Sequence, residues 1–297
     1  MKVLFITSTR IGDAVLSTSV LNYIKQKFPH SSLYIATGKN ASLLFKNFNN
    51  VNKLKNNRVI YSTLLSPQGK LLHDFFLFKN KEKIYLDAPK YNIKKLKEKL
   101  DLYKLNRNVE ICEKKIHSYY LFYGKLSNKI FLELKKEINL KIFNDPRNMH
   151  LGYRIICYNK EGKKQIIKII KNLKIILNYK EYEKKRILNC IPDIKKDRLY
   201  NKAYLLQYNF ENLNSICWKK GCFIGQEVTI KMKNKGTLKK RIYTVKSIRK
   251  ELTSPKEIKY KNISIGETTS HCENIALALV QEDKIKNIKK IKNILII

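Results

Sequence analysis

The sequence contains little glycine, proline or cysteine, and it has no long apolar run. Of 297 residues, 10 are glycine, 6 are proline and 6 are cysteine. Without a run of about 18 apolar residues, we expect no membrane-spanning helix. The cysteines form no C-x-x-C pair, so no metal site is predicted. Polar residues follow the short apolar N-terminus at once, so we expect no signal peptide and a cytoplasmic location with reduced thiols.

The chain is strongly basic, with a net charge of +38, and its hydrophobic content of 43% is that of a folded protein. Such a charge favours an anionic partner, either nucleic acid, a phosphate-rich ligand or a polycarboxylate. However, Lys, Asn and Ile are spread along the whole chain, as expected from an AT-rich genome. The aromatic residues also do not alternate with the basic runs as a base-stacking surface requires. Charge therefore leaves a dedicated RNA-binding surface and a compositional bias both open.

Hydrophobic patterns predict three successive regions, and the length fits about two domains. Residues 1–37 have the pattern of a β-α-β segment. A mixed region follows, with strands predicted over 58–88, a helix over 91–105, and a segment at 166–178 that fits helix or strand. Beyond residue 237 short strands and turns predict a small all-β domain. The predicted class is α+β.

One turn stands out because two of the few glycines flank a cysteine. Residues 218–229 read W-K-K-G-C-F-I-G-Q-E-V-T, with Cys222 between Gly221 and Gly225. Glycine allows backbone angles that other residues resist, so the cysteine can occupy a tight, exposed turn. A buried cysteine in a hairpin is the alternative, because unpaired cysteine is usually buried.

The neighbours of this cysteine favour a reactive thiol. Lys219 and Lys220 would stabilise the thiolate and so lower the pKa of the thiol. Gln226 and Glu227 supply an amide and a carboxylate at the start of a strand that we predict over 228–232. On these residues alone, a functional thiol and a buried structural cysteine both remain open.

These residues carry a resemblance to a known family. Residues 220–227, K-G-C-F-I-G-Q-E, resemble the K-G-C-[YF]-x-G-Q-E signature of the YgfZ family, which are folate-binding proteins related to the aminomethyltransferase of glycine cleavage. Further motifs of that family follow the same order here, and the resemblance covers about residues 55–280. They lie at 61–76, 145–154, 182–193 and 209–214.

The resemblance implies a fold, a ligand and a set of site residues. The fold would be an aminomethyltransferase-like folate-binding core with a small C-terminal β-barrel domain. The protein would bind tetrahydrofolate or a derivative and support maturation or repair of iron–sulfur enzymes, including tRNA-thiolating ones. Its partners would be folate, iron–sulfur client enzymes and, indirectly or weakly, RNA, and it would be a monomer. The functional thiol would be Cys222 with Lys220, and the folate-binding residues Gly221, Gln226, Glu227, Gln207, Glu211 and Arg154.

The sequence departs from the family pattern at several positions. Gln207 stands where the family commonly has a glutamate facing the pterin, and Glu211 stands at the following Asp position. An amide offers one acceptor and a donor, whereas a carboxylate accepts two hydrogen bonds from a pterin. Lys231 replaces a frequent Arg, and Gln281 stands where a terminal Arg is common. The motif does not settle whether the protein is an enzyme, although an assembly factor is favoured over a folate-dependent one-carbon transferase.

The N-terminus resembles a different family. Residues 1–38 are similar to the opening of ADP-heptose:lipopolysaccharide heptosyltransferases, whose loop aspartate, here Asp13, is a candidate general base. The donor-binding domain of such an enzyme is missing, so a fused fragment is predicted. The predicted domains are therefore 1–50 for this fragment, 51–240 for the folate-binding core and 241–297 for the β domain. An RNA-binding protein without a folate pocket, an aminomethyltransferase and a residual glycosyltransferase remain alternatives.

Overall fold

The fold is known from a computed structural model. No helix among the residues that it describes is both long and apolar enough to cross a membrane. The described residues are 2–6, 23, 26–27, 32–36, 58–80, 83–104, 109–122, 128–172, 178–218, 223–236, 238–248, 251–285, 290–291 and 294–296.

The N-terminal region contains a parallel pair of strands. Strand β1 (Lys2–Ile6) pairs with β2 (Ser32–Ala36) in register, Lys2 opposite Ser32. Parallel neighbours require a crossover connection, which agrees with the predicted β-α-β segment. Most of that connection, including Asp13, lies outside the described residues.

The central antiparallel sheet has the order β3-β4-β5. Its strands are β3 (Val59–Leu65), β4 (Leu71–Asn80) and β5 (Lys83–Asp87), and α1 (Ile93–Tyr103) follows them. The strands predicted over 58–88 and the helix predicted over 91–105 are thus confirmed. Apolar side chains of β3 and β4 enter the largest buried cluster among the described residues, which also includes Phe210.

A second antiparallel sheet has the order β6-β8-β7 and is covered by two helices. The strands are β6 (Ser118–Phe122), β7 (Leu140–Asn144) and β8 (Tyr153–Cys157). Helices α2 (Asn128–Lys136) and α3 (Lys160–Asn172) bury Leu134 and Ile166 against the sheet. The ambiguous segment from 166 is therefore helical up to 172, because one face of α3 is needed to cover this sheet; residues 173–177 lie outside the described part.

The C-terminal region is a six-stranded, curled half-barrel with the order β10-β11-β12-β9-β14-β13. Its own apolar cluster includes Val245, Ile265 and Val280. The predicted C-terminal β region and the α+β class are confirmed, whereas the domain boundaries stay a prediction. The strands are β9 (Lys240–Ser247), β10 (Lys256–Tyr260), β11 (Ile263–Cys272), β12 (Ile275–Gln281), β13 (Lys290–Ile291) and β14 (Ile294–Ile296), with α6 (Glu282–Ile285) after β12.

Two further helices connect these layers, and one of them corrects the sequence prediction. They are α4 (Tyr179–Leu188) and α5 (Gln226–Asn234), so the strand predicted over 228–232 is wrong. The β-branched residues in this stretch favoured a strand. A carboxylate in the first turn and lysines in the last turn match the helix dipole instead. Glu227 and Lys231 also form an i,i+4 ion pair at 2.7 Å.

Arg186 of α4 joins the helix to the half-barrel. The residue is 1% exposed, and its side chain is among the largest fully buried ones. The guanidinium donates to Glu183 Oε2, Asp197 Oδ2 at 3.2 Å and Ser270 Oγ of β11 at 3.0 Å. It also donates to the carbonyl oxygen of Ile191 at 2.7 Å. A single buried cation thus fixes a helix, a loop and a strand relative to one another.

Replacing His73 of β4 with phenylalanine is expected to stabilise the protein. His73 is 1% exposed, and neither ring nitrogen has a hydrogen-bond partner among the described residues. A buried polar group without a partner costs about 1–3 kcal/mol, so the variant should gain about 1 kcal/mol in free energy of unfolding, measured by urea denaturation.

The same position predicts a pH dependence. Burial, together with Lys95 and Lys99, lowers the pKa of His73 from 6.5 to about 4. Between these values the unfolded chain binds the extra proton, so stability falls as pH drops from 6.5 towards 4. His73→Phe should remove this part of the slope, whereas a matched change at exposed His150 should not. An unchanged slope in the His73 variant would contradict the assignment.

Candidate functional site

Two turns that are far apart in sequence touch through their backbones. The β3–β4 turn contains Gly69 with φ of +74°, and the loop before α5 ends at Gly225 with φ of +78°. A Cβ on Gly225 would lie 2.5 Å from Ser66 O and 2.9 Å from the Cα of Gly69. A Cβ on Gly69 would lie 2.9 Å from Val228 Cβ. Glycine is required on both sides, because the positive φ and the close approach exclude other side chains.

The start of α5 is held by Gln226. Its side-chain oxygen accepts a hydrogen bond from Phe223 N at 3.0 Å, and its own N–H donates to Phe223 O at 3.1 Å. The Phe223 ring is partly buried against the main apolar cluster. The residue directly after Cys222 is therefore fixed by an amide that we had predicted to bind folate. Residues 219–222, which include Lys220, Gly221 and Cys222, lie outside the described part, and their roles stay predictions.

Glu211 ties the residue before this segment to α5. Trp218 Nε1 donates to Glu211 Oε1 at 2.8 Å, and Lys233 Nζ donates to the same oxygen at 2.6 Å. Lys233 Nζ also lies 3.8 Å from the centroid of the Trp218 ring, which adds a cation–π contact. Glu211 was predicted to bind folate, and the structure places its carboxylate in this exposed three-residue cluster.

Arg154 lies in a buried ionic network. Asp145 accepts hydrogen bonds from Arg147 Nη2 and Arg154 Nε, both at 2.8 Å. Arg154 also donates to the hydroxyls of Tyr119 and Tyr182. Although burial alone would raise it, the two guanidinium groups hold the pKa of Asp145 well below its usual range. Every nitrogen of the Arg154 guanidinium contacts protein, which favours a role in positioning the surrounding strands.

Asp74 is a candidate that the sequence analysis did not select. It lies on β4 within the motif after the β3–β4 turn, between the buried residues His73 and Phe75. Its Oδ2 accepts from Tyr61 OH at 2.9 Å, and it forms no ion pair within the described residues. Burial raises the pKa of Asp74, and the Tyr61 hydrogen bond opposes this change. The carboxyl has acceptor sites beyond the one that Tyr61 uses, and an acidic residue within an apolar strand was the available signal.

The other predicted folate-binding residues differ in whether their side chains already have a protein partner. Gln207 is half-buried in a 3₁₀ helix (Leu205–Tyr208), and its amide has no partner among the described residues. Glu227 is exposed on α5 and paired with Lys231. Of the predicted set, the structure therefore joins Gln226 to the paired glycine turns and leaves the amide of Gln207 free for a ligand.

Comparison with known proteins gives no matching family model. The chain is 23% identical over 208 residues to an IBA57 homolog of Neurospora crassa and 25% identical over 198 residues to IBA57 of Mus musculus, both mitochondrial iron–sulfur cluster assembly factors. Its homologues are iron–sulfur cluster assembly factors. The matches cover 65% and 64% of this chain but 46% and 54% of the relatives. The chain thus spans about half the length of the curated relatives it matches.

A solved structure identifies the fold. The aminomethyltransferase T of the glycine cleavage system from Bartonella henselae superimposes with a TM-score of 0.56 at 12% identity, covering 78% of this chain and 70% of that one. The predicted aminomethyltransferase-like fold is therefore confirmed.

Two other sequence predictions are not upheld. The comparisons give no support to a heptosyltransferase segment at the N-terminus. The predicted cytoplasmic location is contradicted, because the relatives are mitochondrial proteins. The inference failed because unpaired cysteines indicate reducing conditions and do not identify the compartment that provides them.

Proposed function

We propose that the protein is a YgfZ-type, folate-binding factor that supports the assembly, maturation or repair of iron–sulfur enzymes. The observation that carries this proposal is the backbone contact between the β3–β4 turn at Gly69 and the loop ending at Gly225. Both turns belong to the motifs that resemble the YgfZ family, and this chain has glycine at both positions where their contact requires it. The similarity to iron–sulfur cluster assembly factors supports the same role.

The functional thiol in this proposal is Cys222. Trp218 and Phe223 bracket the cysteine segment, and both are held by side chains of α5. Lys220 would favour the thiolate, which is the form that binds metals and attacks electrophiles. Iron–sulfur client enzymes are the proposed partners, and any effect on tRNA thiolation would arise through such clients rather than through direct RNA contact.

The residues present fit tetrahydrofolate in their chemistry. A pterin needs acceptors for its amino and ring N–H groups and donors for its carbonyl oxygen. Asp74 and Gln207 offer a carboxyl and an amide that the described part of the chain leaves at least partly free. When bound, the cofactor would supply a one-carbon carrier. In this proposal Asp74 and Gln207 hold the pterin, whereas Arg154 positions β8 and Gln226 positions the cysteine turn.

Complementation tests the thiol. We expect the wild type to restore an iron–sulfur enzyme in cells that lack their own YgfZ or IBA57 protein, and Cys222→Ala to fail at an unchanged melting temperature. Cys112→Ala removes an exposed cysteine elsewhere and should rescue fully. Full rescue by Cys222→Ala would refute the proposed thiol role.

Tetrahydrofolate titration tests the ligand separately. We expect saturable binding that Asp74→Ala weakens about tenfold, as the loss of one charge-assisted hydrogen bond implies. Asp101→Ala is the matched control, because the carboxylate of Asp101 pairs with Lys97 and Lys104 around the C-terminal end of α1. The absence of saturable binding, or equal losses in the two variants, would contradict the folate assignment.

A further inference from the structure

A cleft of about 490 Å³ opens between the loop after α4 and the C-terminal sheet. Its volume is in the range of small-molecule sites. The buried residue Tyr208 lies in its wall, and the charged residues Arg198, Lys202, Lys240 and Glu267 are exposed around it. None of these residues belongs to the paired glycine turns or to the network around Asp145.

Three cations of this cleft have no carboxylate partner. Arg198, Lys202 and Lys240 form no ion pair within the described part of the chain. Arg198 and Lys202 come from the loop after α4, whereas Lys240 begins β9, so the positive charges face the cleft from two structural units. Like charges in a shared cleft repel one another, and an anion between them would remove that repulsion.

The loop that carries two of the cations is fixed in place. Lys70 Nζ donates to Lys202 O at 3.0 Å, and Asn201 N donates to Leu71 O at 2.7 Å. Arg198 N donates to Lys195 O at 3.3 Å, with Arg198 in a left-handed conformation at φ of +55°. Because the loop backbone is already ordered, ligand binding would cost side-chain rotamer entropy but no further ordering of the loop.

The remaining groups define the sign and the polarity of the site. Glu267 on β11 is the register partner of Glu257 on β10. Glu257 forms an ion pair with Lys259 at 3.1 Å. Glu267 has no ion-pair partner in the described region. Burial, with contributions from Asp197 and Glu267, raises the pKa of Tyr208 to about 12. The Tyr208 hydroxyl therefore stays protonated and can donate. Asp197 in the wall is already neutralised by Arg186.

We propose that this cleft binds a small multivalent anion, either a phosphate compound or a polycarboxylate, through Arg198, Lys202 and Lys240, with Tyr208 donating a hydrogen bond. The three cations exceed the one unpaired carboxylate, Glu267, by two charges. Such a site selects ligands that carry at least two negative charges. The proposal is independent of the Cys222 thiol, and Cys222→Ala should bind the anion as the wild type does.

Calorimetric titration of the full chain with pyrophosphate and with citrate at physiological salt tests the site. We expect one saturable site for at least one of the two anions, and the tighter ligand identifies phosphate or carboxylate as the preferred group. The double variant Lys202→Gln/Lys240→Gln should bind about tenfold more weakly or worse, because two direct charge contacts are lost. Glu267→Gln should bind more tightly, because it removes a repelling charge.

The control separates this site from the general positive charge of the chain. Lys164→Gln/Lys168→Gln removes the same two charges from an exposed face of α3 and should change the affinity less than about twofold, since screening weakens distant surface charges. Equal losses in the two double variants, or no saturable binding of either anion, would overturn the proposal. Unfolding cannot tighten binding, so a gain of affinity in Glu267→Gln can only come from the removed charge. This variant therefore tests the site even if the lysine double variant fails to fold.

Discussion

Replacing Gly225 with alanine is expected to lower the free energy of unfolding by about 3 kcal/mol or more. The new Cβ would lie 2.5 Å from Ser66 O and 2.9 Å from the Cα of Gly69, and both of these atoms are backbone. A flexible side chain could move aside, but here the β3–β4 turn itself must shift. The φ of +78° adds conformational strain for any residue with a Cβ. Urea denaturation measures the loss.

Gly236 provides the matched control for this change. Its φ is +66°, yet no atom lies within 4 Å of where its Cβ would be. Gly236→Ala should therefore cost only the strain of the left-handed conformation, about 1 kcal/mol. If the two variants lose equal stability, the close approach of the two turns contributes nothing. If Gly225→Ala also abolishes complementation while Gly236→Ala does not, the contact between the turns is needed for function as well.

Replacing Arg186 with methionine is expected to cost about 3–5 kcal/mol, because it leaves the buried carboxylate of Asp197 without its cation and removes one of two cations from Glu183, which keeps its pair with Lys196 at 2.6 Å. Asp197 has a side-chain exposure of 0% and Glu183 one of 10%, so neither can recover full hydration. Ser270 and the carbonyl oxygen of Ile191 would lose their donor in the same step. Methionine nearly fills the volume, so the loss reports on charge and hydrogen bonding more than on a cavity. Thermal and urea unfolding measure it.

Arg241 is the matched control for the arginine. It pairs with Glu282 at 3.2 Å with side-chain exposures of 49% and 26%, so Arg241→Met should cost less than about 1 kcal/mol. Because Arg186 contacts β11, its loss should also increase hydrogen exchange in the half-barrel more than in the β6-β8-β7 sheet. Similar costs for the two arginine variants would show that the buried network contributes no more than a surface pair.

The sequence predicted local structure well where hydrophobic period and turn residues agreed. Two runs rich in apolar and aromatic residues on either side of a Pro-Gln-Gly turn predicted the β3–β4 hairpin, and the pattern over 91–105 predicted α1. It failed at 228–232, where β-branched residues favoured a strand. There the ion pair from Glu227 to Lys231 and the packing of α5 against the 3₁₀ helix favour a helix. Propensity is a weak signal when tertiary contacts oppose it.

At the candidate site, too, the contacts of single residues in the structure differ from the roles expected from the sequence. The family resemblance implied Arg154, Gln226 and Glu211 as ligand-binding residues, yet each contacts protein groups in the structure. The resemblance did not lead us to select Asp74, whose carboxyl remains without an ion-pair partner in the described residues. Whether a polar side chain faces a ligand or a protein partner depends on which distant residues approach it, and spacing along one strand contains no such information.

By itself the sequence determined the α+β class, the order of the regions and the presence of two glycine turns that resemble one family. Only the tertiary structure decided that Gly69 and Gly225 meet, that Arg186 joins α4 to the half-barrel, and that Arg198, Lys202 and Lys240 share a cleft. The physical reason is the distance along the chain over which each effect acts. Backbone preferences and hydrophobic period act over a few neighbouring residues, whereas these contacts join positions dozens of residues apart whose approach is fixed by packing of the whole core.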